Sequence, residues 1–212
     1  FTTDGSANYM WMQTFWHHLS DTGTAGIVMA NGAMTSNNKG EKNVRQHMVD
    51  NSMIDAIVRL PDKLFLTTGI PACLFILSKN RDGKDGTHRK RNNEILFLDA
   101  SKMGTMASRK LRVFSDDDIN KIAETYHKWR NVSPNAIEGY LDVEGFSKAA
   151  TIAEVQKQDY KLTPGIYVGT EAEEDDGIPF EEKMEGLKAQ LLMQFEKGEE
   201  LKEKIKANFE KI

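Results

Sequence analysis

The sequence predicts an α/β protein with a single layered sheet, two of whose strands form an antiparallel pair, followed by a helical tail. Three observations point there. Short apolar runs at Gly26–Ala30, Met53–Leu60, Ala72–Leu77 and Glu94–Asp99 have strand length. Amphipathic helical segments stand before the first and second of them, giving the order helix, strand, helix, strand that belongs to an α/β sheet with right-handed crossovers. Beyond residue 179 the apolar residues recur at spacings of three and four within a charged background, which is a helical period.

Residues 8–19 place Met12, Phe15, Trp16 and Leu19 on one helical stripe, which stops before Asp21-Thr22-Gly23. Gly26–Ala30 is almost wholly apolar, the pattern of a strand buried on both faces. Residues 41–50 form a weaker helix with Val44 and Met48 inward. The strands Met53–Leu60 and Ala72–Leu77 are joined by residues 61–71, which have no helical period and are too few for a parallel crossover. These two strands are therefore expected to pair antiparallel. Residues 79–93 are a polar connector. Ser115 caps a helix whose first turn, Asp116-Asp117-Asp118, suits the helix dipole and whose stripe is Ile119, Ile122, Tyr126 and Trp129. Residues 151–169 close the globular part. The expected domains are 1–169, an acidic linker at 170–179, and an amphipathic helix at 180–212 carrying Phe180, Met184, Leu187, Leu191, Leu201, Ile205 and Ile212. Gly186 and Gly198 are expected to leave that helix only partly formed without a partner, at ~1 kcal/mol each relative to alanine.

Composition narrows the function. The net charge is −4, and from Thr170 onward 13 acidic side chains face 7 basic ones, so residues 1–169 carry +2. Any nucleic-acid contact belongs to that first part. Cys73 is the only cysteine and lies in an apolar run, so it reads as a small core hydrophobe in a reducing, cytoplasmic protein. No apolar run approaches the ~20 residues of a membrane span, and no signal peptide is visible at residue 1. The first residue is Phe, which suggests a chain that starts in mid-protein. His17 and His18 are adjacent on a helix, about 100° apart, which is a poor metal pair, and no metal site is expected.

Taken together, NYMWMQTFWHHL, GTAGIVMANGAMTS and IVRLPDKLFLTTGIPACLFILSKN resemble the second half of an N6-adenine DNA methyltransferase. SRKLRVFSDDDINKIAETYHKWR and LTPGIYVG, then an acidic stretch and a long helix, are similar to the modification subunit of type I restriction-modification systems. The resemblance implies the S-adenosylmethionine-dependent methyltransferase fold, here the half of the sheet that ends in an antiparallel hairpin. It implies S-adenosylmethionine as cofactor and adenine N6 in double-stranded DNA as target. Its partners would be a DNA-specificity subunit, a restriction subunit and a second modification subunit. The family's glycine-rich cofactor turn and its Asn-Pro-Pro-aromatic tetrad are not in these 212 residues. No catalytic residue is therefore assigned, and the fragment alone is expected to be inactive. The resemblance leaves two other functions open: an assembly module for the specificity subunit, or a methyltransferase of the same fold acting on RNA or protein.

The resemblance also assigns site residues. Phe65 falls where the family places an aromatic that stacks on the extruded base, although an aromatic capping the sheet edge fits the same position. Asn31 and Gly32, at the end of a strand, would lie beside the target base, or form only a turn tolerant of positive φ. Trp11 aligns with an aromatic on the adenine ring of the cofactor and is an equally good core residue. Lys84, His88, Arg89, Lys90 and Arg91 form a basic cluster that suits either a phosphate backbone or a solvated loop.

Overall fold

The computed structural model describes residues 7–131, 139–170 and 180–209. The chain divides into a first unit, Phe1–Ala172, and a second, Glu173–Ile212. In the first unit α1 (Asn8–His18) precedes β1 (Thr24–Ala30), and α2 (Lys39–Asp50) links β1, by way of a 3-10 turn at Asn31–Met34, to β2 (Ile54–Arg59). Then come β3 (Ala72–Ser78), β4 (Glu94–Asp99), a small hairpin of β5 (Thr105–Ser108) and β6 (Leu111–Val113), α3 (Asp116–Arg130), β7 (Ser147–Thr151), α4 (Ile152–Lys157) and the short α5 (Gly165–Val168).

The main sheet has the order β1-β3-β2-β4-β7. Strand β3 runs antiparallel to both β1 and β2, so β1 and β2 share one direction with β3 inserted between them. Strand β4 is parallel to β2 because the chain reverses once into β3 and once more through the connector at 79–93, and β7 is antiparallel to β4. The antiparallel β2–β3 pair follows from the short connection at 61–71. The sheet does not end there, however. It continues through β4 into β7, a strand hidden in the sequence because SKAAT has small side chains and no alternation.

One core packs α1, α2 and α5 on the sheet through Tyr9, Met12, Val44, Met48, Phe75, Phe97 and Tyr167. Tyr167 stacks on Phe97 with centroids 4.0 Å apart. The other joins α3 to the opposite face through Val58, Leu96, Leu98, Tyr126 and Trp129. Strand β1 departs from the expectation of two buried faces. Ile27 and Met29 are buried, but Val28 is 52% exposed. β1 is the outermost strand, and its second face is left uncovered by the described residues.

Capping boxes form at the starts of α3, as the Ser115 cap leads one to expect, and of α4. Ser115 N–H and Oγ donate to Asp118 at 2.9 and 2.8 Å, and Thr151 N–H and Oγ1 donate to Glu154, both at 2.8 Å. These bonds, backbone first and hydroxyl second, hold both carboxyl groups below the usual carboxylate range. A carboxylate with a depressed folded pKa adds stability above its unfolded value, about 4, and loses it as the pH falls through the folded one. Replacing Asp118 with Asn and Glu154 with Gln together should flatten the fall in urea midpoint as the pH drops below about 4. An unchanged profile would remove the caps from the acid response.

The second unit is α6 (Phe180–Phe209), about 45 Å long at 1.5 Å per residue. It runs unbroken through Gly186 and Gly198. A Cβ at either glycine would meet nothing within 4 Å. Leu187, Leu191, Leu201 and Ile205 are each at least 50% exposed. Residues 171–179 of the expected linker, and Ile212, lie outside the described residues. No helix among the described residues is long and apolar enough to cross a membrane.

Candidate functional site

The parallel strands β1, β2 and β4 end at the same edge of the sheet. Ala30 pairs with Ala72, Arg59 with Cys73, and Arg59 with Asp99. The turn after β1 and the loop between β2 and β3 therefore leave from neighbouring strand ends, where open α/β sheets place their ligands. Asn31, Gly32 and Phe65 are brought to this edge by the topology. The Tyr9 hydroxyl of α1 donates to the Ala33 carbonyl and ties that helix to the turn after β1, while Trp11, two residues on and about 200° around the helix, is exposed. Burial pushes the Tyr9 phenol well above its usual range, against the pull of Arg45, so it stays a neutral donor.

In residues 61–71, Thr68 N–H donates to the Phe65 carbonyl at 3.3 Å and Ile70 N–H to Thr68 Oγ1 at 3.3 Å. The result is a tight turn. Leu64 packs against the second core, while Phe65 is left 37% exposed. Leu66 and Ile70 of the same loop are more exposed still, at 84% and 62%.

Asn31 and Gly32 begin the 3-10 turn, and neither has a positive φ, so a left-handed turn is not their reason for being there. A Cβ on Gly32 would meet nothing within 4 Å. The side-chain oxygen of Asn31 is shielded and has no hydrogen-bond partner. A shielded acceptor without a donor costs ~1–3 kcal/mol, so a donor delivered there recovers a bond the free chain lacks. Trp11 is 60% exposed on α1, which removes the reading of it as a core residue.

Two residues that sequence reasoning passed over hold this edge. Arg45, 1% exposed, donates to the carbonyls of Ser36 and Tyr160, both at 2.9 Å, and Leu162 N–H donates to the Met34 carbonyl at 3.0 Å. The stretch LTPGIYVG thus braces the turn that carries Asn31. Arg59 meets Asp99 at 3.2 Å across the ends of β2 and β4. The signal for that pair was an opposite charge closing each of two apolar strands.

The basic cluster is a structural device. Arg91, 2% exposed, donates from Nε to Asp55 at 2.8 Å, and Arg81 Nε lies 3.0 Å from the same carboxylate. Arg89 donates to Glu94 and to the Trp129 carbonyl, its guanidinium 5.0 Å from the Trp129 ring centre. His88 is bonded to Asp85. Among these cations only Lys84 and Lys90 are exposed, and they lie on the connector leaving β3, at the sheet edge opposite Phe65.

Cys73 is fully buried, its thiol pushed up to about 12 by burial, as suits a core position. His17 and His18 are exposed, and no group of three potential metal ligands forms among the described residues.

The family described as N-6 DNA Methylase matches residues 1–176. The chain belongs to that family. It is 43% identical over 204 residues to the HindI methylase subunit of a type I restriction enzyme from Haemophilus influenzae, covering 96% of this chain and 43% of that protein. It is 36% identical to the MjaIX methylase subunit from Methanocaldococcus jannaschii, covering 96% of this chain and 34% of that protein. A type I methyltransferase subunit from Streptococcus thermophilus superposes with a TM-score of 0.66 at 25% identity, over 80% of this chain and 32% of that one. The resemblance to type I modification subunits is borne out. The chain spans less than half the length of the relatives it matches.

Proposed function

We propose that this chain is the target-base side of a methyltransferase domain that moves a methyl group from S-adenosylmethionine to adenine N6 in double-stranded DNA. The observation carrying this reading is the convergence of an exposed aromatic and an unpartnered amide oxygen at one sheet edge. An enzyme that modifies a base nitrogen must take the base out of the duplex. Phe65 offers a stacking face that offsets the lost stacking. Asn31 offers an acceptor to an exocyclic amino group, as asparagine does for adenine N6 elsewhere. Gly32 leaves space beside it. The cofactor, when bound, supplies the electrophilic methyl group. Trp11 is the aromatic wall this chain contributes to its adenine ring. The family's tetrad and glycine turn are not among these residues, so the chain orients the base and keeps water off it rather than completing the reaction alone.

The exposed stripe of α6 is assigned to assembly. Covering Leu187, Leu191, Leu201 and Ile205 would contribute roughly 1.5–3 kcal/mol each. A DNA-specificity subunit is the proposed cover, with a restriction subunit and a second modification subunit in the same complex. The intact subunit truncated at Gly177, and so without α6, should fail to co-purify with the specificity subunit and still bind S-adenosylmethionine. Normal co-purification would refute the docking role.

The test of the activity is methyl transfer by the full-length subunit in its complex, read as N6-methyladenine by mass spectrometry. Asn31→Ala should lower the rate with the cofactor affinity unchanged. Methyl groups found on RNA or protein instead would overturn the substrate.

A further inference from the structure

The hairpin of β5 and β6 is absorbed by neither core nor site. Residues 100–113 hold four basic side chains, Lys102, Arg109, Lys110 and Arg112, and no acidic one, in a chain whose net charge is −4. All of β5 is exposed, and so are Arg109 and Lys110 at the turn. Arg81, Arg89 and Arg91 each face a carboxylate, whereas no ion pair among the described residues engages Arg109 or Lys110.

The hairpin is also fastened to the loop that carries Phe65. Arg112 N–H donates to the Lys63 carbonyl at 2.8 Å, and Arg112 Nη2 lies 3.4 Å from Asp62 Oδ1. Arg112 Nη1 donates to the Gly104 carbonyl at 3.1 Å, which ties the two strands at their base. Gly104 has φ +79°, and a Cβ there would come within 2.7 Å of the Val113 carbonyl oxygen, so the crossing requires glycine. The acidic residues 116–118 follow β6 at this base and cap α3, at the opposite end from the turn. Chain geometry keeps Arg109 within about 20 Å of Phe65.

We propose that this hairpin is a DNA-backbone arm: Arg112 sets its position, and Arg109 and Lys110 contact phosphates of the strand flanking the extruded base. The proposal rests on the reading of the site as a DNA-methylating pocket. An unpaired arginine and lysine on an exposed turn are suited to phosphate oxygens, and a tie to the base-holding loop gives such contacts a register.

The experiment measures duplex binding by the full-length subunit in its assembled complex at several salt concentrations. Each phosphate contact contributes about 0.9 to the slope of log affinity against log salt. Arg109→Ala with Lys110→Ala should weaken binding to matched and unmatched duplexes alike and reduce the slope by about 2. Arg109→Lys with Lys110→Arg should keep it. An unchanged slope for the alanine variant, while the parent complex binds DNA with a normal one, overturns the arm and leaves the pocket standing. Loss of a subunit from the complex with the slope unchanged makes the hairpin a protein contact and also overturns it. A parent complex with no DNA affinity overturns both readings together.

Discussion

Asp55→Asn will destabilise the first unit by about 3–5 kcal/mol, the usual cost of removing one partner from a buried charge cluster. Asp55 is fully buried at the start of β2. It accepts from Arg91 Nε at 2.8 Å and Nη2 at 3.2 Å, and from the Tyr126 hydroxyl at 2.7 Å, with Arg81 Nε at 3.0 Å. Burial already lowers the Arg81 guanidinium to about 10, and the Asp55 charge works against that shift. Without the carboxylate, two guanidinium groups share a water-poor space with no counter-charge. Arg81 also donates to the carbonyls of Ser52, Ile54, Arg91 and Glu94, so its displacement loosens the edges of β2 and β4 together. Urea unfolding followed by circular dichroism measures the loss. Tyr126→Phe, which removes one donor to the carboxylate, should cost about 1.5–3 kcal/mol and remain folded. A loss below 1 kcal/mol for Asp55→Asn would mean that water reaches the cluster.

On the proposed function, Phe65→Ala in the full-length subunit should weaken capture of an extruded adenine by roughly 1–3 kcal/mol, the range for one base stacked on an aromatic ring. The affinity for S-adenosylmethionine should stay as it was, because Phe65 leaves the sheet in the loop after β2 while Trp11 stands on α1. A duplex with a fluorescent adenine analogue at the target position reports extrusion, and calorimetry reports the cofactor. A duplex with an abasic target should bind the variant and the parent equally, since it has no base to stack. Equal loss of cofactor affinity would show that Phe65 supports the edge as a whole. Phe65→Tyr should recover capture, since the ring face is what acts.

Much of this protein is determined locally. The strands at 54–59, 72–78 and 94–99 and the helices at 8–18, 39–50 and 116–130 follow from apolar period and capping residues within each segment. The antiparallel turn at 61–71 follows from its length. Phe65 was legible because a large aromatic among Thr, Gly and Pro stands out, and because its flanking motifs resemble a family.

Other features depended on distant partners. Arg81 and Arg91 read as polar connector residues, yet they are buried because Asp55, 26 and 36 residues earlier, is buried at the point where they arrive. A sequence records that a charge exists, and only the fold decides whether a counter-charge makes its burial tolerable. Val28 looked like the centre of a doubly covered strand, but among the described residues no element crosses that face of β1, and an apolar side chain is buried only where another element covers it. The same reasoning separates the two sets of cations. Arg89 and Arg91 are used up by Glu94 and Asp55, while Arg109 and Lys110 stand on a hairpin that Arg112 ties to Lys63 in the loop after β2. Composition counts all four alike, and their pairing or freedom depends on contacts between segments that no local pattern encodes.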